Sequence, residues 1–267
     1  MISLRYHFLS LVAIFLSLSI GILIGSAFVM RGDIQALSRG LRSEFAKVRE
    51  EVRKERELSQ KREQILANYR KLAKLITPTI VRGKLLGQAV GILPIGKVDD
   101  KTVSDLEEVI ESAGGEIRFT IFLYPQNLMA REDLENVLNT LARNLYIGNK
   151  EGLRGMEKEN IIRIEDWKGS AMKIIIISDK QADKDRVQKL DIPLISYLKA
   201  EGLRIIGGEE FAPAFSPIPY YKSLGISTVD CLDYEVGQIA SVLLLSGEEG
   251  NYGMGKDADD LLPPLKL

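Results

Sequence analysis

From Phe8 to Met30 the chain runs 23 residues without a formal charge. As a helix that stretch is about 34 Å long, against a bilayer core of about 30 Å. It contains Leu11-Val12-Ala13-Ile14-Phe15-Leu16 and Ile22-Leu23-Ile24, and its polar residues are Ser10, Ser17, Ser19 and Ser26. A helix can return such hydroxyls to its own carbonyls, so they cost little in lipid. A cleaved signal is the competing reading, with Gly25-Ser26-Ala27 as small residues near a cut. The apolar run is longer than the roughly 7–15 residues of a signal core, which favours an uncleaved span over about residues 8–30. Ser17, Gly21 and Gly25 recur every fourth residue, where small side chains let two membrane helices approach closely.

The next segment has different physics. Residues 31–76 carry 13 Lys/Arg against 7 Asp/Glu and no proline, whereas residues 77–267 carry 22 against 30. The overall charge of −1 therefore describes neither part. Apolar residues at Leu37, Leu41, Phe45, Val48 and Val52, then at Leu66, Tyr69 and Ile76, fall in steps of three and four through a polar middle at Glu55, Ser59 and Arg62. That is the seam of a coiled coil. A 46-residue helix, about 69 Å long, needs a partner face to be stable in water. Pairing as a parallel homodimer or higher homo-oligomer supplies that face; folding back on the rest of the chain is the alternative. Thr77-Pro78 predicts the end of the helix, because proline disfavours helix at the residue before it.

After Gln88 short apolar runs alternate with amphipathic stretches. Strands are expected at Ala89–Ile95, Ile117–Tyr124, Lys173–Ser178, Leu203–Gly208 and Ser227–Asp230, and helices at Asp99–Ala113, Asp133–Leu145, Ile192–Ala200 and Asp233–Ser246. Lys173-Ile174-Ile175-Ile176-Ile177-Ser178 has the continuous β-branched character of a strand buried on both faces. The fold class is α/β: an N-terminal transmembrane helix, a long coiled-coil helix, then a three-layer α/β domain with a mostly parallel sheet. The expected organisation is an N-terminal segment (1–30), a stalk (31–77), a hinge (78–87), a head (88–247) and a tail (248–267). Residues 146–171 read as a polar, glycine-containing insertion, either functional or mobile.

The chemistry is sparse. One histidine, His7, and one cysteine, Cys231, exclude a zincin, a histidine-based triad in the head, a zinc ribbon and a disulfide framework. Neither a phosphate-binding loop nor a dinucleotide fingerprint is present; Gly253-Met254-Gly255-Lys256 imitates the former over four residues with no strand before it. Open α/β sheets bind ligands at the carboxyl ends of their strands, and Asp99, Asp179 and Glu209 fall there. They could line a crevice, but three carboxylates without a base or nucleophile name no reaction, and Asp99 also suits a helix cap. Soft metals favour sulfur ligands, yet Cys231, Met129, Met156, Met172 and Met254 show no ligand-like spacing, and Cys231 suits a small buried residue. No cofactor is evident. The basic segment is interleaved with acids and the head is acidic, which opposes nucleic acid as a partner.

Both ends of the chain carry a resemblance. Met1-Ile2-Ser3-Leu4-Arg5-Tyr6-His7 with the apolar run behind it resembles the start of the copper transport outer membrane protein family, the MctB-like proteins. The resemblance continues at Val229-Asp230, Gly237-Gln238-Ile239-Ala240, Gly250-Asn251-Tyr252-Gly253 and Lys256-Asp257-Ala258-Asp259-Asp260-Leu261-Leu262-Pro263. It implies a role in copper transport or homeostasis, with copper as the species handled, no enzymatic activity and a head outside the cytoplasm. One helix cannot line a pore by itself, so transport would require an oligomer or a partner. The basic residues Arg31, Arg39, Arg42, Lys47 and Arg49 after the span outnumber Arg5 before it, which by the positive-inside rule points the head the other way. Acids mixed into that flank weaken the rule. The expectation is a single-pass signal-anchor with an extracytoplasmic head; a cell-envelope scaffold presenting the head to a protein partner is the alternative.

Overall fold

The computed structural model describes the backbone of residues 4–31 and 33–264 and the side chains of residues 7–27 and 44–264. Packing divides the chain into two compact units, Met1–Ala67 and Asn68–Leu267.

In the first unit, α1 (Leu4–Arg31) contains a segment, His7–Ala27, that is long and apolar enough to cross a membrane, and none of it is buried within the protein. The serine hydroxyls behave as the sequence predicts. Ser10 donates to the His7 carbonyl at 3.1 Å, Ser17 to Ile14 at 2.9 Å, Ser19 to Phe15 at 2.8 Å and Ser26 to Leu23 at 3.0 Å. All four hydroxyls are thus paired within the helix. Nothing lies within 4 Å of the positions a Cβ would take on Gly21 and Gly25.

Helix α2 (Asp33–Val81) is 49 residues long. The side chains of Leu37 and Leu41 lie outside the described residues, and those of Phe45, Val48, Val52, Leu66, Tyr69 and Ile76 are exposed. The helix ends later than the Thr77-Pro78 step predicts. Pro78 sits inside its last turns, where the missing N–H removes one backbone bond. The Thr77 hydroxyl bonds the Ala73 carbonyl at 2.8 Å, and buried Thr77, Val81 and Leu85 fix this stretch in the core of the second unit. Tertiary packing overrides the local signal.

The second unit is a mixed seven-stranded sheet with helices. Its strands are β1 (Ala89–Ile95), β2 (Glu116–Leu123), β3 (Ile162–Trp167), β4 (Lys173–Ser178), β5 (Arg204–Glu209), β6 (Ser227–Val229) and β7 (Asn251–Tyr252), in the order β3-β2-β1-β4-β5-β6-β7. The β2–β3 pair is antiparallel and all other pairs are parallel. The helices are α3 (Asp100–Ser112), α4 (Pro125–Met129), α5 (Leu134–Ile147), α6 (Lys150–Lys158), α7 (Lys184–Arg186) running through a π-turn at Val187–Asp191 into α8 (Ile192–Ala200), α9 (Ile218–Ser223) and α10 (Glu235–Ser246). The period-2 alternation of β4 separates two apolar clusters. Ile174 and Ile176 pack with Leu138 of α5, Leu194 of α8 and Tyr221 of α9, while Ile175 and Ile177 pack with Leu106 of α3, Leu243 of α10 and Val81 of α2.

Two segments differ from their expected character. The span 146–171 is ordered as α6 and β3, with Ile161 and Ile162 buried and Trp167 stacked on Phe119 at 5.7 Å. Residues beyond 247 add β7 to the sheet beside β6.

Candidate functional site

The chain leaves β1 toward α3, in one apolar cluster, and leaves β4 toward α8, in the other. The loops after these neighbouring strands therefore part, which opens a crevice at their carboxyl ends. A cavity of about 1030 Å³ occupies that place. Its walls come from Gly96–Asp100 after β1, Phe122 and Tyr124–Asn127 with Met129 at the end of β2, Arg163 of β3, Asp179–Gln181 with Asp183 after β4, Arg186, and Glu210 after β5.

Asp99 and Asp179 line this cavity. The third acid in its wall is Glu210, the neighbour of the sequence candidate Glu209. Glu209 is buried elsewhere, its carboxylate accepting from the Ser216 hydroxyl at 2.9 Å, while Glu210 accepts from Thr102 of α3 at 2.9 Å. Burial, opposed by Ser216 and reinforced by Asp230 and Asp257, pushes the Glu209 carboxyl up to about 8. Asp99 caps α3, accepting from the Lys101 backbone N–H at 3.0 Å. Asp183 does the same for α7 through the Arg186 N–H at 2.8 Å.

Sequence reasoning missed the centre of the site. Arg186 is 6% exposed and spans Asp179 Oδ1 at 2.5 Å, Asp191 Oδ2 at 3.2 Å and the Ser178 hydroxyl. Tyr221 donates to Asp191 Oδ2 at 2.6 Å. Burial opposes the guanidinium charge, but Asp191, Tyr221 and Asp179 outweigh it and hold Arg186 above its ordinary value. Arg186 Nε and Asp191 Oδ1 remain buried without a protein partner. Asp179 joins this network to the β1 loop, accepting from the Lys97 N–H at 2.6 Å. Gly96, at φ +85°, is required there, since a Cβ would overlap the Asp179 carboxylate. Ser178, Asp179 and Asp191 lie within eight residues of Arg186, but Tyr221 and Lys97 come from elsewhere in the chain, and no standard motif marks the set.

A second constellation joins Val229-Asp230 to the chain following Gly250–Gly253, two of the stretches that carry the C-terminal resemblance. Asp230, after β6, accepts from the Met254 N–H at 2.8 Å and the Gly255 N–H at 2.9 Å. Gly253 has φ +142°, and a Cβ on it would strike the Asp230 carboxylate. Gly253-Met254-Gly255 thus wraps a carboxylate of its own chain rather than a phosphate. Cys231 beside it is fully buried, and burial together with Asp230 pushes its thiol up to about 12. Among the described residues no three His, Cys, Asp or Glu side chains converge as a metal site.

The family described as Copper transport outer membrane protein, MctB, matches residues 1–159 and 148–263. The chain belongs to this family. Proteins named Copper transporter MctB from Mycobacterium bovis and Mycobacterium tuberculosis are each 28% identical over 142 residues, covering 52% of this chain and 44% of theirs. The matched stretch thus spans less than half the length of these relatives. The family match takes in the apolar helix, α2 and the sheet together, and it includes both Asp230 and the loop that wraps it.

Proposed function

We propose that this chain is a membrane-anchored protein of copper transport or homeostasis that catalyses no reaction. In this reading α1 crosses the membrane once, and α2 pairs in parallel with the α2 of a second copy. The three-layer α/β head then stands outside the cytoplasm. The domain boundaries follow the sequence: anchor over 1–30, stalk over 31–77, head over 88–247 with the tail added to its sheet. The observation that carries the reading is the family match running from residue 1 to residue 263. The spanning-length helix and the exposed seam residues of α2 support the anchor and the pairing. Ser17, Gly21 and Gly25 provide the close-approach face within the membrane.

Copper is the cargo here, and the donor chemistry of the head suits it poorly. Cu(I) prefers thiolate and thioether sulfur. The Cys231 thiol is sealed and holds its proton, Met156 is in the core, Met129 and Met172 lie at opposite ends of the strands, and Met254, part-exposed in the loop beside Cys231, has among the described residues only that sealed thiol as a sulfur neighbour. Copper handling then falls to the assembled oligomer or to a protein partner, and the head serves as a recognition module. That second role, an envelope scaffold, is favoured by the same sealed thiol. Deleting the gene and measuring cellular copper at fixed external copper tests the reading. Copper content changes on deletion and is restored by the full chain; unchanged content would leave the scaffold alone.

A further inference from the structure

The groups lining the switch-point cavity are unevenly satisfied. Its carboxylates are largely occupied: Asp99 and Asp183 by helix N–H groups, Asp179 by Lys97 N–H and Arg186, Glu210 by Thr102. Asp100 is the exception, its side chain 85% exposed and 3.6 Å from Arg163. The cations are not occupied to the same degree. Lys97 is exposed and has no ion-pair partner among the described residues. Lys180 reaches Asp233 only at 3.4 Å, and Arg163 stands 3.6 Å from both Asp100 and Glu165, long for strong pairing. Below them Arg186 forms part of the wall, and its Nε–H is buried without a partner. Beside the cations lie half-buried Tyr124, Pro125 and Met129, an apolar shelf.

We infer that this cavity binds a small organic anion, whose phosphate or carboxylate group meets Lys97, Lys180 and Arg163 and whose body rests on Tyr124, Pro125 and Met129. Three facts converge on that class. The cavity sits where the strand connections diverge, the position at which open α/β sheets take ligands. Its weakly engaged cations Lys97, Lys180 and Arg163 and the buried Arg186 Nε–H are donors that an acceptor-rich ligand completes, with exposed Asp100 free to turn to solvent. Its volume accommodates an organic molecule rather than a bare ion. The site is independent of the copper reading, since it recruits none of the sulfur groups considered there except the Met129 side chain as a surface.

Calorimetry on the full chain in dodecyl maltoside, with AMP, citrate and inorganic phosphate as separate probes, tests the inference. AMP or citrate saturates at one per chain, identifying phosphate or carboxylate as the preferred group, and inorganic phosphate binds at least tenfold more weakly because it lacks a body. Lys97→Ala with Lys180→Ala weakens the preferred probe at least tenfold without shifting thermal unfolding. Lys97→Ala alone, at an exposed side chain, gives a smaller loss in the same direction. Failure of both AMP and citrate to saturate, phosphate binding as tightly as either, or unchanged affinity in the variants would each overturn the proposal.

Discussion

Glu209 and Glu210 show how finely a site can depend on one position. Both follow Gly208 at the carboxyl end of β5, and composition does not separate them. The period-2 pleat sends them to opposite sides, Glu209 to Ser216 ahead of α9 and Glu210 to Thr102 of α3. The strand end was legible, the register was not, because it is set by pairing Ser178 with Glu209 across the sheet. Burying Glu209 has a consequence for stability. Its carboxyl rises from an ordinary 4.5 to about 8 in the folded protein. The folded state therefore retains a proton that the unfolded chain releases, and the stabilisation is fully present below pH 4.5 and lost as pH rises to 8. The effect is on the order of a few kcal/mol. Thermal unfolding of the full chain at pH 5 and pH 8 should show a drop at the higher pH that Glu209→Gln reduces. Equal drops in both proteins would contradict the assignment.

At the scale of elements, long apolar segments were readable and short, half-exposed ones were not. The β-branched run of β4, the amphipathic face of α3 and the almost wholly buried apolar run of α10 declare themselves because each is apolar along its length where it meets the core. β3 does not, since it is a six-residue antiparallel edge strand in which exposed Arg163 and Glu165 alternate with Ile162 and Ile164. β7 is two residues long and is held by the Gly253–Gly255 loop on Asp230 rather than by its own pattern. That hold predicts a measurable coupling. Asp230→Ala removes two charge-assisted bonds to the Met254 and Gly255 amides and should cost about 2–4 kcal/mol in chemical denaturation. Gly253→Ala, which sets a methyl against the same carboxylate, should be destabilising too, and the double variant should fall short of the sum. Additive losses would mean that the tail is held by something other than Asp230.

At the scale of the molecule, an uncharged span, a basic helix and an acidic sheet domain average to a chain that looks ordinary in bulk composition. The contrast was legible in composition: an apolar run long enough to span a bilayer in α1, mixed charges in α2, and β-branched runs buried on both faces in the sheet domain. The cavity was not legible, since it depends on where several strands end in space, and the Arg186 network beside it is closed only by Tyr221 and Lys97 from distant parts of the chain. The proposed role rests on α1 as an anchor that places the head outside the cytoplasm. The single native cysteine makes this directly testable, because Cys231 is fully buried with its thiol pushed up to about 12 and stays silent while the head is folded. Glu132→Cys introduces a thiol at an exposed position between α4 and α5. A membrane-impermeant maleimide applied to intact cells is predicted to label Glu132→Cys while the wild type remains unlabelled until denatured. Protection of that cysteine until the cells are lysed would contradict the extracytoplasmic placement.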